Sequence, residues 1–310
     1  MNETDIPRNC EWLIDGLVYR GLAWGPENGL PVLALHGWMD HGASFQTLAP
    51  LLAGCHVVAP DLSGQGLSDH RAAHATYNIW DDLPQIAALL DHLGWRDCIL
   101  LGHSRGANIA TLCAAALPER VRALIALESL VPEPEDPARF ATTLRAFVEE
   151  TRRQGARPPR RFASREDYIR RREAQGNARA TATALAARAL QDEGPGGVQM
   201  RGDPRMFASS AVRLSGAQLD SVLQSLACPV LNIWAAQGIR PRRPLIAGLI
   251  ARADALVPDY ETLELPGDHH VHLDPAGARQ IADALLGFLG RKGLARGPAS
   301  ETREPGADAP

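Results

Sequence analysis

A chain of 310 residues with 45% hydrophobic and 22% charged residues carries enough apolar material for a sizeable core, in one large domain or in a core with a smaller insertion. Its formal net charge of -4 argues against a general nucleic-acid binder. Cys10, Cys55, Cys98, Cys113 and Cys228 are scattered without a Cys-x-x-Cys pair, which argues against a disulfide framework and points to a reducing compartment. The start Met1-Asn2-Glu3-Thr4-Asp5 lacks the apolar core of a secretory signal, and no apolar run reaches membrane-spanning length. A soluble, cytoplasmic protein with no membrane and no nucleic-acid partner is expected.

Taken in order, Trp12 to Trp24, broken by Gly16 and Gly21, suits two edge strands joined by a turn. Pro31 to His36 reads as a buried strand, with Gly37-Trp38-Met39-Asp40 as the loop leaving it. Ser44 to Leu52 has helical spacing, and His56 to Ala59 is another short buried strand running into the glycine-rich turn Asp61-Leu62-Ser63-Gly64-Gln65-Gly66. Between Asn78 and Leu93 the apolar residues Ile79, Leu83, Ile86, Leu89, Leu90 and Leu93 recur at helical spacing, and Gly94 stops the pattern. Cys98 to Leu101 is a strand, Arg105 to Leu117 a helix, and Val121 to Leu127 the next strand, ending at Glu128. Alternating strands and helices imply a mostly parallel sheet covered on both faces, with ligands beyond the carboxyl ends of its strands. His36, Asp61, Ser104 and Glu128 all fall at those ends.

Pro132-Glu133-Pro134-Glu135-Asp136-Pro137 is a linker-like break. Residues 132–225 then read as a helical cap with no strand-like run, and the paired arginines Arg152-Arg153, Arg160-Arg161 and Arg170-Arg171-Arg172 as its solvated face. The core, residues 1–131 and 226–290, resumes with a strand at Cys228 to Trp234 and a shorter one at Thr262 to Leu265. A last helix covers about Pro275 to Leu289, and 291–310 read as a disordered tail.

The chemistry centres on Gly102-His103-Ser104-Arg105-Gly106. A strand, a tight turn and a helix, with glycines where the two elements cross closely, would push Ser104 out above the sheet with a helix N-terminus behind it. A serine hydroxyl is a poor nucleophile alone and needs a base. His269, on the loop Pro266-Gly267-Asp268-His269-His270-Val271-His272, is the first choice over His270 and His272. Backbone N–H groups of Trp38 and Arg105 are the oxyanion donors expected, and Trp38 and His103 the side chains expected to touch substrate. Asp61 reads as a structural cap of the glycine turn. His269-x-x-His272 with His41 could suggest a metal, but no carboxylate or cysteine set accompanies them. Neither metal nor cofactor is expected.

Four motifs in this order resemble the α/β-hydrolase superfamily, serine hydrolase-like branch. Leu35-His36-Gly37-Trp38-Met39-Asp40 is similar to its oxyanion loop, Asp61-Leu62-Ser63-Gly64-Gln65-Gly66-Leu67-Ser68 to its Asp-x-x-Gly-x-Gly-x-Ser turn, and the Ser104 and His269 segments to its elbow and histidine loop. The resemblance spans about residues 12 to 290. It implies an α/β-hydrolase fold, a mostly parallel sheet flanked by helices with a helical cap insertion.

One departure concerns the acid. Many members carry the triad Asp just after the strand that follows the cap, yet here that strand continues Trp234-Ala235-Ala236-Gln237-Gly238, with Gly238 at the expected position. A second arrangement in the superfamily takes the acid from the end of the strand after the nucleophile helix, which in this sequence is Glu128. Asp254, Asp259 and Asp268 are the alternatives. The resemblance implies a serine hydrolase cleaving a carboxylic ester or related acyl bond of a small molecule through Ser104, His269 and Glu128. A C–C bond hydrolase, thioesterase or lactonase on the same residues, and a non-catalytic binding protein of this fold, are the competing readings. Substrate identity and oligomeric state stay open.

Overall fold

The computed structural model describes residues 6–295; most of the expected tail, 296–310, therefore lies outside the described residues. The described residues open with a hairpin, β1 (Arg8–Ile14) and β2 (Leu17–Trp24), closed by Asp15 and Gly16, both at positive φ. This is the geometry of a two-residue hairpin turn. β3 (Leu30–Leu35) and β4 (Cys55–Pro60) follow, both fully buried. Where the spacing of Ser44 to Leu52 predicts a helix, the structure has two short 3-10 turns, Gly42–Phe45 and Ala49–Leu51. Pro50 sits in the second; it has no N–H to donate and cannot sit inside a continuous α-helical ladder.

α1 (Leu83–His92) is shorter than the predicted 78–93, because Pro84 fits only in the first turn. Residues before it form a turn in which the Asp81 carboxylate accepts from the Asn78 N–H at 2.7 Å. Next come β5 (Cys98–His103), α2 (Arg105–Ala116) and β6 (Val121–Leu127). An inserted segment contains α3 (Phe140–Gly155), β7 (Arg161–Phe162), α4 (Arg165–Ala174), α5 (Arg179–Ala189), β8 (Leu190–Asp192), β9 (Val198–Met200) and α6 (Gly216–Gln224). The chain then returns through β10 (Val230–Ala235), α7 (Leu245–Leu256), β11 (Tyr260–Leu265) and α8 (Pro275–Arg291).

Eight strands form one sheet in the order β1-β2-β4-β3-β5-β6-β10-β11. The first two pairings are antiparallel, and every pairing from β4 onward is parallel. One apolar layer, including Leu100, Ile109, Leu124 and Leu223, covers one face; another, including Phe45, Ile99, Ile125, Leu285 and Phe288, covers the other. Two-faced burial of this kind is what continuous apolar strands require.

The cap corrects two expectations. β7, β9 and β8 pair antiparallel into a small three-stranded sheet, so the insertion is not purely helical; strands of two or three residues leave no alternating pattern to read. α6 was expected in the cap, but Leu219 and Leu223 belong to the main apolar layer with α2. The paired arginines are exposed, save Arg172, which turns inward to Asp40 at 3.4 Å.

The cap is pinned to the core by polar contacts. Arg188 on α5 donates to the buried Asp61 carboxylate from Nε at 3.0 Å, with its terminal nitrogen at 2.9 Å. His41 Nε2 meets the Leu185 carbonyl at 2.8 Å, and the Asp203 N–H donates to the Gly64 carbonyl at 2.9 Å. Asp61 also accepts from the Leu67 and Gly42 amides, both at 2.7 Å, so it caps the glycine turn as its position suggested. Among the described residues no helix is long and apolar enough to cross a membrane.

Candidate active site

Ser104 stands between β5 and α2 at φ 52° and ψ -118°. Non-glycine residues reach that region only under constraint from their surroundings. The constraint is visible next door, where a Cβ on Gly106 would overlap the Leu35 carbonyl and one on Gly102 would sit 2.5 Å from the Ala107 Cα. Among the described residues four non-glycines adopt positive φ, and Met39, Ser104 and Glu128 are three of them. Backbone strain thus gathers at the carboxyl ends of β3, β5 and β6.

His269 reaches back from the loop after β11. Its Nε2 lies 3.1 Å from Ser104 Oγ, and its Nδ1 lies 3.0 Å from Glu128 Oε2. The structure therefore brings the three residues into one continuous line. Glu128 itself is fully buried. Besides the imidazole it accepts the Ala235 N–H on Oε1 at 2.6 Å and the Ile239 N–H on Oε2 at 2.8 Å. A buried carboxylate without such donors would be costly. Three donors on two oxygens leave Oε2 shared between Ile239 and His269, which fixes the imidazole with its hydrogen on Nδ1 and a lone pair on Nε2 toward the serine.

The loop where an aspartate was expected takes on a different task. A Cβ on Gly238 would lie 2.6 Å from Glu128 Oε1 and closer still to Oε2. The space an acid would fill from β10 is filled from β6 instead, and only glycine leaves it free. The alternative acids stand elsewhere: Asp259 pairs with Lys292, and Asp268 accepts the His270 N–H at 2.7 Å. Asp254 lies in α7, away from the cavity lining.

Arg105 opens α2, and the first N–H groups of a helix have no partner within it. Its side chain is drawn aside, donating to Asp82 at 3.3 Å and to the Tyr77 carbonyl at 3.0 Å. Trp38 keeps 45% of its surface exposed, donates its indole N–H to the Met206 carbonyl at 3.1 Å and meets Phe207 edge-on at 4.8 Å. Its ring thus reaches the cap rather than the cavity beside Ser104. His103 corrects an expectation outright. It is fully buried and its Nε2 meets the His269 carbonyl at 2.8 Å, so it cannot touch a substrate.

Sequence reasoning also missed much of the cavity beside Ser104. A space of about 210 Å³ is lined by Ser104, Leu130, Val131, Trp234, Ile246 and Ile250, among others, with Glu133 and Arg243 also at its wall. Those last two form an ion pair at 3.6 Å. Asn232, a polar residue inside an otherwise apolar strand, was a signal available in the sequence. It donates to the Ala126 and Ser129 carbonyls and accepts from the Tyr260 hydroxyl, fixing the cavity floor.

The model of the family described as "alpha/beta hydrolase fold" matches residues 31–276. The chain is an α/β hydrolase. Within that family it belongs with the serine hydrolase-like branch. It is 29% identical to a serine hydrolase-like protein of Danio rerio over 87% of this chain and 84% of the relative. A similarly named protein of Dictyostelium discoideum is 26% identical over 88% and 79%. The crystal structure of a hypothetical protein from Pseudomonas aeruginosa superposes with a TM-score of 0.85 at 34% identity, over 91% of this chain and 99% of that one.

Proposed function

We propose that this α/β hydrolase cleaves a carboxylic ester, or a related acyl bond, of a small molecule through an acyl-enzyme on Ser104. The observation that carries this is the line from Ser104 Oγ through His269 to Glu128, at 3.1 and 3.0 Å. Ser104 Oγ adds to the substrate carbonyl while its proton passes to His269 Nε2. The carbonyl oxygen, now negative, takes hydrogen bonds from the Trp38 and Arg105 amides. His269 returns the proton to the leaving alcohol as the C–O bond breaks. Water then adds to the acyl-serine with His269 as base, and the carboxylic acid leaves as the Ser104 hydroxyl re-forms. Glu128 keeps the imidazole in the tautomer this requires and balances the imidazolium. No step calls for a metal or cofactor.

The cavity beside Ser104 supports a small substrate with an apolar group, since Leu130, Val131, Ile246, Leu249 and Ile250 contribute to its wall. Turnover of a p-nitrophenyl ester series from acetyl to decanoyl tests this reading. Release of p-nitrophenol by the native chain and none by Ser104→Ala is the expected outcome. Native protein that binds the esters without turnover would favour a non-catalytic binding protein. Thioester and lactone substrates in the same assay distinguish the related acyl bonds.

A further inference from the structure

Behind Ser104 and His269 lies a second group of side chains for which the proposed reaction has no use. Asp40 from the loop after β3, His103 from the end of β5 and His270 from the loop after β11 each bring one ligand-type atom to within 4.8 Å of the others. Asp40 and His103 are buried, and the His270 side chain keeps 12% of its surface. Topology alone assembles them, since 230 residues separate Asp40 from His270.

The hydrogen on His103 is assigned by its neighbours. Nε2 lies 2.8 Å from the His269 carbonyl oxygen, which can only accept, so Nε2 carries the hydrogen. The imidazoles of His269, His270 and His272 pack around the ring at 4.8, 5.2 and 4.2 Å between centroids. Nδ1 is therefore a bare lone pair. It is buried without a hydrogen-bond partner and faces Asp40 Oδ2 at 3.8 Å. Two acceptors aimed at each other in a buried space repel, and a cation between them turns that repulsion into two bonds. The His270 Nε2 approaches the same Oδ2 at 3.3 Å, while Arg172 occupies the other carboxylate oxygen at 3.4 Å. Gly37 leaves room for the group, since a Cβ there would crowd it at 3.0 Å from both Asp40 Oδ2 and His103 Nδ1.

The geometry points to a binding site for a divalent transition-metal ion of the zinc type, held by His103 Nδ1, His270 Nε2 and Asp40 Oδ2. Two imidazoles and one carboxylate are a donor set suited to such an ion. Ligand atoms about 2.0–2.2 Å from a tetrahedral ion stand roughly 3.4 Å apart. The two separations from Asp40 Oδ2, 3.3 and 3.8 Å, bracket that value, and the two imidazole nitrogens, which lie within 4.8 Å of each other, would draw together on the ion. His270 would keep its hydrogen on Nδ1 and offer Nε2. The bond from His103 Nε2–H to the His269 carbonyl is the outer-sphere contact that commonly orients a ligating imidazole. It also ties the site to the loop that carries His269. The pattern His269-x-x-His272 with His41 is not the ligand set: His269 is engaged by Glu128 and Ser104, and His41 by the Leu185 carbonyl.

Full-length chain without an affinity tag, stripped with EDTA, is titrated with Co²⁺ and then with Zn²⁺. Ligand-field absorption reads Co²⁺ and calorimetry reads Zn²⁺. One Co²⁺ per chain, displaced by one Zn²⁺, is expected in the native protein. Asp40→Asn and His270→Gln are each expected to weaken binding by at least about tenfold. His92→Gln, on the last turn of α1, and Ser104→Ala are expected to leave it unchanged, so the site stands or falls independently of the serine chemistry. His270 lies on a partly exposed loop and remains informative even if Asp40→Asn does not fold. Native protein that takes up no ion, or binds it no more tightly than His270→Gln, overturns the assignment.

Discussion

Replacing Glu128 with glutamine keeps the shape of the side chain and removes what the site needs from it. Oε1 accepts one donor, the Ala235 N–H, and Oε2 accepts two, the Ile239 N–H and His269 Nδ1–H. An amide offers one oxygen and one NH₂ and cannot satisfy all three. With its oxygen toward His269, the NH₂ is driven against the Ala235 N–H. With its NH₂ toward His269, it opposes the Ile239 N–H and turns the imidazole to the tautomer whose Nε2 bears hydrogen and cannot take the Ser104 proton. A wrong-tautomer triad loses on the order of 10⁴ in kcat, or about 5.4 kcal/mol of transition-state stabilisation. One unsatisfied buried donor costs about 1–3 kcal/mol of folding stability. Glu128→Gln should therefore remain folded, with a lowered midpoint in urea, and lose nearly all p-nitrophenyl ester turnover. Turnover within tenfold of native would refute the role of Glu128.

Other expectations test the neighbouring structure. Gly238→Ala should reproduce the activity loss of Glu128→Gln, because the new methyl displaces the carboxylate; overpacking of this kind costs about 1–3 kcal/mol, read by thermal denaturation. Arg188→Ala leaves Asp61 without its guanidinium in a site where Asp61 is fully buried, and should cost about 3–5 kcal/mol by urea denaturation. Asp203 shows a pH dependence. Burial pushes its pKa up, but hydrogen bonds from the Arg205 side chain and amide and from the Tyr77 hydroxyl outweigh this and hold it below 3.8. A carboxyl with a depressed folded pKa stabilises above its unfolded pKa and loses that contribution as pH falls through the folded one. The melting-temperature gap between native and Asp203→Asn protein should thus shrink as pH falls below 3.8.

The parts of the site written in local patterns were legible before any coordinates. Ser104 and its flanking glycines, Glu128 ending an apolar strand and His269 after the last strand each announce themselves within a few residues. What was not legible depends on distant parts of the chain meeting. Gly238 reads in the sequence as a missing acid; only the packing of β10 beside β6 shows it as the room Glu128 needs. His103 was misread because adjacency to Ser104 suggests exposure, whereas the sharp turn at φ 52° sends the two side chains into different surroundings. The cap strands β7, β8 and β9 are too short to carry a period, and the cavity wall from α7 involves ordinary aliphatic residues with no motif.

The proposed chemistry rests on Ser104 as nucleophile, and a fluorophosphonate probe addresses that directly because it is attacked far faster by an activated serine than by an ordinary hydroxyl. Native protein should acquire one adduct, located by mass spectrometry on the peptide containing Ser104, and Ser104→Ala should acquire none. Equal labelling of both proteins, or an adduct on another residue, would contradict the account.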